Sequence, residues 1–339
     1  MTAKKKNRII FISLSLLLLG CCILSLSLGR YPVPFDQTLS ILLHKIRPLS
    51  AAWNEDMANV VLNVRLPRLL GGVLVGAALA ASGATYQSIF RNPLVSPDLL
   101  GVSAGACTGA ALAIVLHAGT FMVQMLALVC GLAAVGLTNL IPRFFRNQSS
   151  LMLVLAGVVV GGFMNALFGI LKYVADPEQE LASIVYWTMG SFANIKQPIL
   201  QALAPGMLAA LAVLFLLRWR INVLSLGERE AASLGINVGL TRGLCILCAT
   251  ALTACAVCLS GAIGWIGLIT PHFARLLTGE DARSLLPASV LIGAILTAAT
   301  DWLARNLTGA EIPLSILTGL VGAPAFIILL LAQKRKIQE

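Results

Sequence analysis

Eight stretches of this chain, 9–29, 69–90, 99–142, 147–171, 197–217, 243–274, 284–300 and 312–333, contain no Asp, Glu, Lys or Arg. A helix of about 20 apolar residues crosses a ~30 Å hydrocarbon core, and inside lipid a chain must satisfy its own backbone polar groups. Two of the stretches are long enough for a pair of helices: 99–142 can turn at His117-Ala-Gly-Thr120, and 243–274 around 260–264. The pattern therefore predicts an all-α membrane protein, a polytopic bundle of about ten transmembrane helices. Composition agrees, with 58% apolar and 11% charged residues and a mean hydropathy of +0.90. A soluble domain carries about a quarter charged residues.

With an even number of spans both termini share a side, and basic residues choose it. If the N-terminus is cytoplasmic, inside segments carry Lys4, Lys5, Lys6, Arg8, Arg91, Arg143, Arg146, Arg218, Arg220, Arg229, Arg242, Arg275, Arg283, Lys334, Arg335 and Lys336, 16 of the 24 basic residues. Arg30, Lys45, Arg47, Arg65, Arg68, Lys172, Lys196 and Arg305 remain outside. Both termini are thus expected in the cytoplasm, in a multi-pass protein of the cytoplasmic (inner) membrane. The net charge of +10 reports topology and anionic headgroups rather than nucleic acid. Lys4 to Lys6 followed by Leu18-Leu19-Gly20-Cys21 imitates a lipoprotein signal. Its apolar run continues to Leu28, beyond the usual h-region of about 7–15 residues, which favours a retained first helix.

No linker, charge block or low-complexity segment interrupts residues 1–339, so one membrane domain is expected. External loops are expected over about 30–63 and 174–196, and a cytoplasmic loop over about 218–242. Gly72 and Gly76, then Gly101, Gly105 and Gly109, then Gly157 and Gly161 recur at four-residue spacing, which lets helix backbones approach closely. Ser82-Gly83-Ala84 and Ser260-Gly261-Ala262 echo each other near the ends of oppositely directed spans, the arrangement of an inverted repeat.

Metal chemistry is poorly supported. Cys245, Cys248, Cys255 and Cys258 share one helix, and the ten residues from 245 to 255 span about 15 Å, too far for one ion to bind all four. His44, His117 and His272 are scattered, with no nucleophile beside them, which argues against a membrane enzyme. The charge-free stretches hold none of the carboxylates that secondary carriers use as relays. Asp301 lies near an external helix end, four residues before Arg305, where an i,i+4 pair would contribute a few tenths of a kcal/mol. The dipeptide Gly-Lys occurs nowhere, so the nucleotide-binding pattern GxxxxGK[ST] is absent. Energy must come from another polypeptide acting on an exposed cytoplasmic element. The segment 227–235 suits that role: Glu228, Arg229 and Glu230 favour solvent, Ala231, Ala232 and Leu234 could fill a partner's groove, and Gly235 can end the helix. On the opposite face Arg65, Arg68 and Arg305 either anchor helices at headgroups or receive carboxylates of a soluble partner.

Taken in order, Arg65-Leu-Pro-Arg68, Gly76-Ala-Ala-Leu-Ala80, Arg91-Asn-Pro-Leu94, Pro97-Asp-Leu-Leu-Gly101, Leu226-Gly-Glu228, Gly264-Trp-Ile-Gly-Leu268, Pro271-His272 and Gly322-Ala-Pro324 resemble the iron-chelate, heme and vitamin B12 permease family of ABC importers over nearly the whole chain. The resemblance implies a pair of ten-helix permeases, identical or paralogous, a cytoplasmic ATPase dimer and an extracytoplasmic substrate-binding protein. It implies docking of that protein at Arg65, Arg68 and Arg305. It further implies ATPase coupling through Gly227, Glu228, Arg229, Glu230, Ala231, Ala232 and Gly235, with Arg91, Asn92 and Pro93 in the neighbouring loop. The chain itself would bind no cofactor or metal, ATP being hydrolysed by the partner. The expected cargo is an iron(III)-siderophore complex; heme, cobalamin and molybdate are the alternatives within the family, and a secondary transporter lies outside it.

Overall fold

The computed structural model describes residues 3–44, 53–145 and 150–338; Lys45, Arg47 and Arg146 of the charge argument lie outside them. Among the described residues there is no strand. The chain runs α1 (Ala3–Ser27), α2 (Phe35–His44) and α3 (Glu55–Asn59), which passes through a π-helical turn (Val60–Arg65) into α4 (Leu66–Ile89). A 3-10 turn (Pro97–Leu100) precedes α5 (Val102–Val115), α6 (Thr120–Phe144), α7 (Ser150–Val174), α8 (Glu180–Thr188) and α9 (Gln197–Leu224). Then follow α10 (Glu228–Ser233), α11 (Val238–Ser260), α12 (Ile266–Thr278), α13 (Ala282–Asn306) and α14 (Leu314–Gln338).

Among the described residues seven helical segments are long and apolar enough to cross a membrane: Lys5–Ser27, Glu55–Ile89, Thr120–Phe144, Leu151–Val174, Gln197–Leu224, Val238–Ser260 and Ala282–Asn306. The 14-residue α5 and 13-residue α12 reach only about 20 Å each at ~1.5 Å per residue. Each starts from irregular backbone that is largely buried, at Leu100–Gly101 before α5 and at 261–263 before α12, the situation in which non-helical chain is tolerated at membrane depth.

The most apolar window of the α3–α4 segment is 83% buried, against 11% for α1 and 28% for α7, so α4 is the axis of the bundle. Its residues explain the position. Ala, Gly and Ser dominate it, and α9, α11, α12 and α13 all pack against it. A Cβ on Gly76 would strike the Gly293 carbonyl of α13, and one on Gly83 would strike the Gly267 carbonyl of α12. At such distances dispersion contacts, which hold helices together where lipid removes the hydrophobic drive, are at their densest. Hydrogen bonds also tie α4 to its neighbours: Thr297 Oγ1 of α13 donates to Gly72 O at 2.8 Å, and Ser82 Oγ donates to Ala249 O of α11 at 2.8 Å.

The two Ser-Gly-Ala triplets adopt different local structures. Ser82-Gly83-Ala84 lies within α4, whereas Gly261, with φ +71°, turns the chain out of α11. Cys245, Cys248, Cys255 and Cys258 sit along α11 as free thiols, and no group of three or more metal-ligating side chains occurs among the described residues.

Candidate functional site: polar clusters at the two ends of the bundle

At one end the C-termini of α1 and α13 meet the start of α4 and the lead into α14. Arg65, 5% exposed, donates to Leu26 O at 2.6 Å, Ser27 O at 3.0 Å and Tyr31 O at 2.5 Å. It caps carbonyls that α1 leaves without intrahelical partners, where a cation also meets the negative end of the helix dipole. Arg68, 7% exposed, forks between two carboxylates. Its Nε and Nη2 reach Asp301 Oδ1 at 2.9 and 2.8 Å, and its Nη1 and Nη2 reach Glu311 Oε1 and Oε2 at 2.8 and 3.1 Å. Arg305 completes the group through Asp301 Oδ2 at 3.1 Å and Ser25 Oγ at 2.7 Å.

The structure thus brings the three arginines together, but in a setting different from an exposed rim. Asp301, 2% exposed, is the shared acceptor of Arg68 and Arg305, so a solvated i,i+4 pair understates it; removing one member of a buried pair strands the other charges. Glu311 escapes sequence reasoning because it lies 243 residues from Arg68 in a polar connection with no periodicity. Its short distance from Asp301 and Arg305 is the only signal it leaves.

The opposite end gathers the segment after α4 with α12, α9, α10 and α13. Arg91 takes a left-handed conformation, φ 51°, after which Asn92 Oδ1 accepts from Leu94 N at 2.9 Å in an Asx turn. The loop is pinned to α12. His272 Nε2 lies 3.0 Å from Pro93 O, and Gln87 links Val95 O, Leu268 O and the Arg275 guanidinium. His272 is a fastener of this loop.

Nearby, Gly227 (φ +150°) and Gly235 (φ +78°) bracket α10 in conformations that L side chains rarely adopt. Glu228 pairs with Arg242 of α11 at 2.5 Å, and Ala231, fully buried, packs back into the bundle. Ala231 therefore does not belong to a surface offered to a partner. Arg229, Glu230 and Ala232 with Leu226 and Leu234 face outward, the two leucines 64% and 59% exposed. Exposed leucines beside charges, on a short helix held at both ends, suit a solid docking knob.

These features define a multi-pass membrane protein with one buried ionic cluster and, at its other end, a fixed protruding helix. The family model described as the FecCD transport family matches residues 16–332, and the chain belongs to that family. It is 41% identical, over 96% of both chains, to the molybdate import system permease protein MolB of Haemophilus influenzae. It is 40% identical to a probable iron chelatin transport system permease protein of Helicobacter pylori, covering 82% of this chain and 85% of that one. Further relatives are named for hemin and vitamin B12. A solved structure described as an inward-facing conformation of a putative metal-chelate type ABC transporter superposes with a TM-score of 0.85 at 39% identity, covering 95% of this chain and 99% of that one. The chain is an ABC importer permease subunit of the inner membrane; subunits of this kind carry no ATPase activity of their own.

Proposed function

We propose that this permease carries a metal complex inward by alternating access, through ten membrane helices with both termini in the cytoplasm. The seven long helices are joined in this reading by α5, α12 and α14. The arginine end faces outward and receives a substrate-binding protein; α10, with the Arg91-Asn92-Pro93 loop beside it, faces inward and receives an ATPase dimer. A second permease, identical or paralogous, completes the assembly. The observation that carries the reading is the family match along nearly the whole chain, with α10 tied to α11 by the Glu228–Arg242 pair at the end where basic residues concentrate. The buried ionic cluster also weighs against a secondary carrier: Asp301, which could have served as a relay, is neutralised by Arg68 and Arg305.

The cargo proposed first is an iron(III)-siderophore. A second reading, molybdate, is favoured by the 41% identity to the molybdate permease over essentially full length; heme and cobalamin are the remaining alternatives. Uptake of radiolabelled ferric siderophore, molybdate, heme and cobalamin, in cells lacking the gene and in cells with it restored, decides among them. Selective loss of ferric siderophore uptake supports the first reading. Selective loss of molybdate uptake replaces it, and unchanged uptake of all four rejects the proposed cargo class.

A further inference from the structure

We infer that Glu311 occupies, at Arg68, the place of a carboxylate from the docking protein, and that exchange between the two releases the outer ends of α14 and α8. This rests on the docking reading above.

All three Arg68 nitrogens are engaged, so a partner carboxylate can gain a forked contact only by displacing one already present. Asp301 is a poor candidate for displacement, since its side chain is 3% exposed and Arg305 holds it as well. The Glu311 side chain is 28% exposed and follows a surface stretch, residues 307–310, that is open to solvent. A carboxylate arriving from outside therefore meets Glu311 first and replaces like with like.

Glu311 is also the start of a continuous connection. Two residues beyond it, Pro313 enters α14, whose first amides leave the bundle's usual ladder: Leu314 N donates to Gly190 O and Ser315 N to Met189 O, each at 3.0 Å. Met189 and Gly190 terminate α8, and Ser191 N donates in turn to Ser260 O at the end of α11, at 2.8 Å. The same connection is held from the other side by Arg30, whose Nη2 donates to Thr308 O at 3.0 Å. Freeing Glu311 removes one of two charged anchors of this loop, the other being Arg30, while Arg68 stays seated on Asp301. The α14 start and the α8 end then keep their backbone bonds and the burial of Leu314, but no ion pair ties them to Arg68.

The test compares wild type, E311Q and R68A, each as full-length permease in nanodiscs, alone and assembled with its ATPase and the binding protein of the same transport system. For the permease alone, hydrogen exchange is followed at Leu314 and Ser315. E311Q is expected to speed exchange there about tenfold, the equivalent of one charge-assisted hydrogen bond, without accelerating exchange in α4. For the complex, E311Q is expected to bind the binding protein several-fold tighter, having lost the internal competitor, and to raise basal ATP hydrolysis. Tighter docking is a result that mere structural damage would not give. E311D, which keeps the charge, should fall between the two. Unchanged exchange and unchanged docking in a folded E311Q overturn the latch while leaving the docking reading intact. If R68A docks as well as wild type, the docking reading itself fails and the latch with it.

Discussion

At the scale of single residues, the outer cluster is decided by charge counting. Arg68 and Arg305 face Asp301 and Glu311, two cations against two anions, while Arg65 is satisfied by carbonyl oxygens alone. Replacing Asp301 with Ala leaves two guanidiniums and one carboxylate, Glu311, which pairs with Arg68 and leaves Arg305 without an ion pair, in a place largely closed to water. D301A should lose about 3–5 kcal/mol of stability, the range for breaking a buried pair on one side, read as a lowered denaturation midpoint in detergent. A mutation of Glu228, whose pair with Arg242 leaves the carboxylate 51% exposed, should cost about 0–1 kcal/mol by the same assay. Similar losses at both sites would mean that the outer cluster is solvated after all.

Individual helices carry their information in residues with little or no side chain. Gly83 has the Gly267 carbonyl where a Cβ would stand, so G83A forces α4 away from α12, and overpacking of this kind costs about 1–3 kcal/mol. The folded yield of G83A should fall, whereas alanine at Gly136, with nothing within 4 Å of a built Cβ, should be silent. Gly235 acts differently. Space around it is open, but its φ of +78° penalises a β-branched side chain, so G235V should tilt α10 without expelling the protein from the membrane. The expected outcome is ATP hydrolysis that continues while transport is lost; normal uptake by G235V would remove α10 from the coupling role.

These examples also mark what the sequence discloses. Charge-free runs reveal the helices because the lipid penalty on charge acts residue by residue. The turn at Gly235 is visible because glycine's backbone freedom is local. Pairings such as Arg68 with Glu311, or Pro93 with His272 at a separation of 179 residues, are not visible, because no periodicity specifies which loop meets which helix end. The inward turn of Ala231 is hidden for a related reason: alanine suits either face of a six-residue helix, and only the neighbouring bundle selects one.

For the molecule as a whole, the reading stands or falls on which end faces the cytoplasm. Basic residues predict that α10 and the Arg91–Pro97 segment lie inside and the arginine cluster outside, since Lys and Arg near membrane helices are retained on the cytoplasmic side. The fold turns that bias into a sharp experiment, because Ser233 at the end of α10 and Thr308 beyond α13 are both exposed and sit at opposite ends of the bundle. The eight native cysteines all lie within helices, so a new cysteine at either site can be read above a low background. S233C should react with a membrane-impermeant maleimide only in inverted vesicles, and T308C only in intact spheroplasts. The opposite pattern would place the ionic cluster in the cytoplasm, where an extracytoplasmic binding protein cannot reach it. That result would remove both the docking of such a protein at Arg68 and the exchange proposed for Glu311. The expected pattern would instead fix an odd number of crossings between α10 and Thr308. Since α11 and α13 are the two segments between them long enough to span alone, the short α12 must then supply the third crossing, with the irregular turn at Gly261 completing its path.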